Sequence, residues 1–269
     1  MNIENNHITL PTWLDDLIFK ELGAKYCRSN TDMTVIDWDR RDVLNYLGTY
    51  FPRSYAEAIC IFNSCFEKHN FNFENKEEIS IFDFGCGTGG EIIGLLMVLT
   101  AKFEKIKNIN VFAFDGNQHA LRLYEKVLRK LKKYVQVTIE SKLIPYSLDD
   151  FYDLSILDSV ISEQFDIVIS FKAICEFVTK QQFELNNPYK HITETFLPKL
   201  KNEGIMLLVD VTSFNNISQE WLPQMMDKGL NSINCKIIKK NNGYNQSYFV
   251  SHSMKCNDVS KIAWRLIKK

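Results

Sequence analysis

The chain has 269 residues, nearly half of them apolar and about a quarter charged, enough to bury a substantial core in one large domain or in a catalytic domain with a helical extension. Lysine plus arginine (32) almost balances aspartate plus glutamate (33), so the formal charge is −1, which argues against a whole-protein electrostatic footprint for nucleic acid but does not exclude a local one. No apolar run reaches the roughly 18 residues needed to span a bilayer, and the polar, Asn-rich start Met1–His7 lacks the basic and apolar segments of a secretory leader, so a cytoplasmic protein with no membrane partner is expected.

From Pro11 to about Lys68 the pattern is helical. Trp13, Leu14, Leu17 and Ile18 recur at helix spacing, as do Ala56, Ile59, Cys60, Phe62 and Phe66. Between them, within Thr31–Phe51, Trp38, Val43, Leu44 and Leu47 predict a further short helix ending at Gly48. Residues 1–70 are therefore expected to form an N-terminal helical cap and residues 71–269 the core.

After the polar break Asn70–Glu78, apolar runs alternate with longer amphipathic segments. Strands are expected at Ile79–Phe84, Asn110–Phe114, Val135–Ser141, Phe165–Ser170, Gly204–Val211, Cys235–Lys239 and Ser247–Met254. This pattern predicts an α/β fold with a doubly wound, seven-stranded, mostly parallel sheet. The last two strands, joined by Asn241-Asn242-Gly243, are expected to form an antiparallel C-terminal hairpin, because Asn-Gly readily supplies positive φ. Seven scattered cysteines show neither a CxxC pair nor metal-ligand spacing, so they read as reduced thiols, mostly buried, and no metal is expected.

The most informative segment is Ile79-Ser-Ile-Phe-Asp83-Phe-Gly85-Cys86-Gly87-Thr88-Gly89-Gly90-Glu91, in which a buried strand enters a turn of small residues and then an apolar helix. Glycines there let the backbone turn sharply and let a ligand approach its amides. Gly85, Gly87 and Gly90 alone also satisfy the dinucleotide pattern G-x-G-x-x-G of a nicotinamide-dependent oxidoreductase. Asp83 argues against that alternative: a carboxylate at the strand exit repels a pyrophosphate but attracts a cationic amino-acid or sulfonium group.

The segment Asp83-Phe-Gly-Cys-Gly-Thr-Gly89 resembles motif I of the class I S-adenosylmethionine-dependent methyltransferases, and the similarity runs over roughly Ile79 to Met254. Val111-Phe-Ala-Phe-Asp115-Gly116-Asn117 resembles the family's second strand, whose terminal acid accepts hydrogen bonds from the ribose hydroxyls. Phe165-Asp-Ile-Val-Ile-Ser170-Phe171 resembles the fourth strand, whose end faces cofactor and substrate. Leu197-Pro-Lys-Leu-Lys-Asn-Glu-Gly204-Ile-Met-Leu-Leu-Val resembles the fifth strand with its preceding turn. The resemblance implies S-adenosyl-L-methionine as cofactor, held by Asp83, Gly85, Cys86, Gly87, Thr88, Gly89, Asp115, Gly116, Asn117, Ser170 and Phe171. Leu148 and Asp149 are candidates for the adenine.

The acceptor belongs at the carboxyl ends of the central strands, over Ser170-Phe-Lys172-Ala-Ile-Cys-Glu176, with Lys172 and Glu176 facing it. Asn187-Pro188-Tyr189 reads as a turn, and Cys175 as a small buried residue without a base partner. The segment Tyr46–Ala58 and the run Ala173-Ile-Cys-Glu176-Phe resemble the methyltransferase-like proteins of the mitochondrial small ribosomal subunit, although the cysteine cluster of that family is absent. Arg53 and Tyr55 in this segment are expected to fold over the pocket, Arg53 meeting a carboxylate of cofactor or substrate. The helix after Asp115 carries Arg122, Lys126, Arg129, Lys130, Lys132 and Lys133 opposite Leu121, Tyr124, Leu128 and Leu131, an arrangement that suits either a solvated face or phosphate contacts. The expected activity is methyl transfer to a small molecule or RNA. A noncatalytic module of the same fold, serving assembly or RNA binding, is the alternative.

Overall fold

The computed structural model describes residues 5–27, 39–69, 71, 73–148, 150–177, 186–216, 218–241 and 246–269. Trp38, Asp149, Asn242, Gly243 and the side chain of Glu176 lie outside what is described. A short strand β1 (His7–Thr9) leads into α1 (Thr12–Asp15), which continues as a π-helical turn over Asp16–Glu21, and then into α2 (Arg40–Lys68). There follow β2 (Glu78–Phe84), α3 (Gly90–Lys102), β3 (Asn108–Asp115), α4 (Gln118–Leu131) and β4 (Thr138–Pro145). Next come α5 (Ser155–Val160), β5 (Phe165–Phe171), α6 (Ile174–Phe177), a helix over Pro188–Phe196 and the long strand β6 (Leu200–Val211). A small hairpin of β7 (Phe214–Asn215) and β8 (Glu220–Trp221), then a helix over Leu222–Asn231, lead to β9 (Lys236–Lys240), β10 (Gln246–His252) and β11 (Lys255–Lys268).

The sheet order is β1-β10-β11-β6-β5-β2-β3-β4, with β9 also paired to β11, which makes nine strands among the described residues. Strands β4, β3, β2, β5 and β6 run parallel and β11 lies antiparallel to β6, so the sheet is mostly parallel as expected. The chain winds outward from β2 through β3 to β4, then returns to the other side of β2 as β5 and β6. This reversal puts a topological switch point between β2 and β5, where the carboxyl ends of the strands open a crevice. The central strands β2, β5 and β6 are buried on both faces. Ile79, Ile81, Ile167 and Ile169 pack towards α2, α3 and α4, while Phe82, Phe84, Val168, Met206 and Leu208 pack against the helices Pro188–Phe196 and Leu222–Asn231.

The structure corrects three local expectations. The C-terminal hairpin is present, but it pairs β10 with β11 (Phe249 opposite Val259), while β9 pairs with β11 rather than with β10. Strand β11 escapes pattern reading because Asp258, Lys261 and Arg265 interrupt its apolar residues. Two of these are buried with partners: Asp258 meets Arg53, and Arg265 meets Asp227 at 2.7 Å. The segment Asn187-Pro188-Tyr189 is a helix start, not a turn, because the Asn187 side chain accepts from the amides of Tyr189 and Lys190 at 3.0 and 3.1 Å.

The third correction concerns Gly48, which ends no helix, since α2 runs unbroken from Arg40 to Lys68. A Cβ at Gly48 would lie 2.4 Å from the Lys25 carbonyl oxygen, so this glycine is there to admit a crossing backbone. The same device docks α2 on α3. A Cβ on Gly94 would stand 2.7 Å from the Tyr55 carbonyl oxygen and 2.9 Å from the Ala58 Cβ. Gly94→Ala is therefore expected to cost about 1–3 kcal/mol of stability, read as a lower thermal midpoint. An unchanged midpoint would show that α2 can retreat from α3 without cost.

Candidate cofactor and acceptor site

Asp83, the penultimate residue of β2, is fully buried with neither carboxylate oxygen hydrogen-bonded among the described residues. The chain then turns through Gly85, Gly87 and Gly89, all at positive φ, and enters α3 at Gly90. Gly89 is required on two counts: its φ is +82°, and a Cβ there would lie 2.2 Å from the Tyr124 ring. The Gly85 and Cys86 amides are tied to the Phe114 carbonyl at 2.9 and 3.1 Å, which holds the loop against the end of β3.

Asp115, at that end, is the second anchor. Its Oδ2 accepts from the Gly87 amide at 2.7 Å and its Oδ1 from the Asn117 amide at 2.8 Å. The Asn117 side chain in turn caps α4 by accepting from the amides of His119 and Ala120. Gly116 gives close passage to a neighbouring segment, since a Cβ there would lie 3.1 Å from the Ser147 Cα. Thr88 and Cys86 are buried in the loop. The sequence-derived cofactor residues from β2, the loop and β3 thus converge on one place.

Strand β5 brings Ser170 and Phe171, both buried, to the same end of the sheet, and the Ser170 hydroxyl has no hydrogen-bond partner. Lys172 follows at φ +56°, a left-handed conformation that costs a non-glycine residue about 1–2 kcal/mol. Its ammonium, buried, binds Glu57 Oε2 of α2 at 2.8 Å, while Glu57 Oε1 is left unpartnered. Lys172 therefore links the end of β5 to the helix above it. Cys175 is half-buried, its amide donating to Asp210 Oδ2 at 3.2 Å. Asp210 also accepts from the Tyr189 hydroxyl at 2.9 Å, which anchors the segment after β5 from below.

Two expected pocket residues are placed elsewhere. Arg53 does meet a carboxylate, but it is the chain's own Asp258: its Nε donates to Oδ2 at 2.7 Å and its Nη2 to Oδ1 at 2.8 Å, both groups buried. This planar fork spans α2 and β11 and leaves no free guanidinium to face a substrate. Tyr55 is packed in the core, and burial raises its hydroxyl pKa. From α2, Tyr46 reaches the loop: its ring would stand 3.4 Å from a Cβ at Gly87 and it stacks on Tyr50. Leu148 is buried beyond β4.

The electrostatics of this region are unbalanced. Burial, reinforced by Glu91 and Asp115, pushes the Asp83 carboxyl well above the usual range. Glu91, in the first turn of α3, is pushed up to about 8, chiefly by burial, with Glu57 and Asp115 adding to the rise and Lys172 opposing it. Asp115 is raised by burial and held back by the two amides that bind it. Since Lys172 is already bound to Glu57, the buried Asp83 and Glu91 and the half-buried Asp115 have no cation of their own among the described residues. Such a cluster suits a ligand that brings positive charge, and it is hostile to a pyrophosphate.

A pH effect follows. Because the native state keeps the Glu91 proton up to about pH 8, its contribution to stability is fully present below the ordinary carboxyl range and is lost as pH rises through about 8. The thermal midpoint of ligand-free protein should therefore fall between about pH 4.5 and 8, and Glu91→Gln should flatten that fall. Equal slopes in the two proteins would show that Glu91 does not carry the effect.

The sequence matches no protein-family model and no curated protein. Solved structures do resemble the chain. A Synechocystis magnesium protoporphyrin IX methyltransferase with bound S-adenosylmethionine is 10% identical over 95% of this chain and 89% of its own, with a TM-score of 0.49. An Aquifex aeolicus S-adenosylmethionine-dependent methyltransferase is 12% identical over 86% of this chain and 99% of its own, with a TM-score of 0.49. A Listeria monocytogenes protein, provisionally a class I methyltransferase, is 13% identical over 79% of this chain with a TM-score of 0.48, and the chain spans only 59% of its length. The chemistry rests on the pocket's own residues.

Proposed function

We propose that the chain is an S-adenosylmethionine-dependent methyltransferase acting on a small molecule or an RNA. The observation that carries this reading is Asp83, a fully buried carboxyl with both oxygens unpartnered, next to Glu91 and Asp115 and at the carboxyl end of the strand that opens the glycine turn. A buried carboxyl in that state costs free energy unless something pairs with it. The amino-acid ammonium and sulfonium of the cofactor are cations of suitable number and kind. Asp115 is placed to exchange its bond from the Gly87 amide for ribose hydroxyls, and the glycine turn lets the cofactor approach the backbone.

The cofactor supplies an electrophilic methyl group on a sulfonium. The protein's own contribution is alignment and exclusion of water. Ser170, Phe171 and Lys172 border the acceptor side of the pocket, and α2 covers the loop through Tyr46. For an acceptor nitrogen or sulfur that is already nucleophilic, alignment suffices and no general base is needed. The first 70 residues act in this reading as the cap over the pocket. Seven free thiols agree with a cytoplasmic setting, and no helix among the described residues is long and apolar enough to cross a membrane.

Transfer of a tritiated methyl from S-adenosylmethionine into the RNA or small-molecule fraction of a cell extract tests the activity. Wild type is expected to label one fraction and Asp83→Asn neither. Cofactor binding without labelling of either fraction would favour the noncatalytic module.

A further inference from the structure

We infer that the solvent face of α4, together with the exposed ring of Tyr134, is a docking surface for a single-stranded segment of RNA, the methyl acceptor. This rests on the proposed methyltransferase activity and names its substrate class. Arg122, Lys126 and Arg129 are exposed and fall within an arc of about 60° on α4, and Lys132 and Lys133, also exposed, continue past its end. None of these five cations is ion-paired among the described residues. Lys130, by contrast, binds Glu21 at 2.7 Å and belongs to the fold. From Arg122 to Lys133 the stripe runs about 16 Å, room for several successive phosphates.

Two further features set this face apart from an ordinary solvated helix. Tyr134, 52% exposed, ends the stripe with its ring stacked on Trp13 at 4.5 Å and an interplanar angle of 18°. A tyrosine ring braced from behind presents a π-surface on which an unstacked base can lie. The stripe also begins at the pocket, because α4 starts from Asn117, whose amide is bound to Asp115. A strand laid along α4 is thereby led to the carboxyl ends of β2 and β3.

Glu125 is the acid of α4 beside the stripe, and Glu21 and Asp16 lie by Lys130 on its other flank, so the face carries five unpaired cations among the described residues in a chain whose net charge is −1. A membrane is a poor occupant, because the apolar face of α4 (Leu121, Tyr124, Leu128) is buried and has nothing to insert. Free single strands with splayed bases are a property of RNA loops more than of genomic duplex, which selects RNA.

The test is fluorescence anisotropy of a labelled oligouridylate of about 12 nucleotides titrated with the full chain at several salt concentrations. Wild type is expected to bind, with a slope of log affinity against log salt near about −3, for four to five phosphates at roughly 0.7 each. The triple variant Arg122→Gln, Lys126→Gln, Arg129→Gln should flatten the slope by about 2 units. Tyr134→Ala should weaken binding by roughly 5-fold or more at unchanged slope. Calorimetric binding of S-adenosylmethionine should be the same in all three proteins, which checks their folding. No binding by wild type, an unchanged slope in the triple variant, or tighter binding of oligothymidylate or of anionic phospholipid vesicles would overturn the inference. Cofactor binding that persists in any of those cases leaves the methyltransferase reading standing. Loss of cofactor binding in wild type removes that reading whether or not the oligonucleotide binds.

Discussion

Asp83→Asn is expected to weaken S-adenosylmethionine binding by about 30- to 4,000-fold without unfolding the domain, because truncating one partner of a buried charge-assisted contact costs about 2–5 kcal/mol. In the ligand-free protein the same carboxyl is a liability, buried with both oxygens unpartnered beside Glu91 and Asp115. Replacing it with a neutral amide removes one acid from a cluster that lacks a cation. The variant should therefore melt at or above the wild-type temperature while losing its ligand. Calorimetry and thermal denaturation of the same two proteins read both quantities. Wild-type affinity in a folded Asp83→Asn would mean that the cofactor does not sit at this strand end. A large drop in the melting temperature would mean that Asp83 has a structural partner.

Arg53→Ala should lower the melting temperature by roughly 10 °C. The guanidinium is buried and forks onto a buried Asp258, and removal of one member strands the other charge in the interior, at about 3–5 kcal/mol. For a chain of this size each kcal/mol moves the midpoint by about 2–4 °C. The double variant Arg53→Leu, Asp258→Leu should recover most of the loss, since no charge is then left unpaired. Tyr26, whose hydroxyl donates to Asp258 at 3.0 Å, loses its acceptor in that background, so recovery should stop short of wild type. An Arg53→Ala protein of wild-type stability that bound acceptor poorly would return Arg53 to the pocket.

These two residues also mark where the sequence was readable. Asp83, its glycine turn and Asp115 are legible because close backbone approach demands glycine and because each acid sits at the end of a strand identifiable from its apolar run. The sequence points Arg53 at a carboxylate of cofactor or substrate, whereas its partner is the chain's own Asp258, 205 positions away, and no local pattern reports such a pairing. The same limit hid β11, whose charges read as surface until Asp227 and Arg53 neutralise them.

Glu57 carries a signal that motif matching passes over. A carboxylate inside the otherwise apolar and small run Ala56–Phe62 must be paired or protonated once that run is buried, and Lys172 is the partner. Glu91 gave a weaker one, an acid at the N-terminus of α3 being ordinary for a helix start. Gly48 misleads in the opposite sense. Local rules make glycine a helix terminator, whereas here its lack of a side chain serves a crossing chain at Lys25, a tertiary reason invisible to a helix rule.

The most direct measurement is calorimetric titration of the purified chain with S-adenosylmethionine, S-adenosylhomocysteine and NAD in parallel. The pocket described here predicts that the first two bind, that the sulfonium form binds more tightly because it brings a cation to Asp83, Glu91 and Asp115, and that NAD does not bind. Binding of NAD alone, or of none of the three, would contradict it.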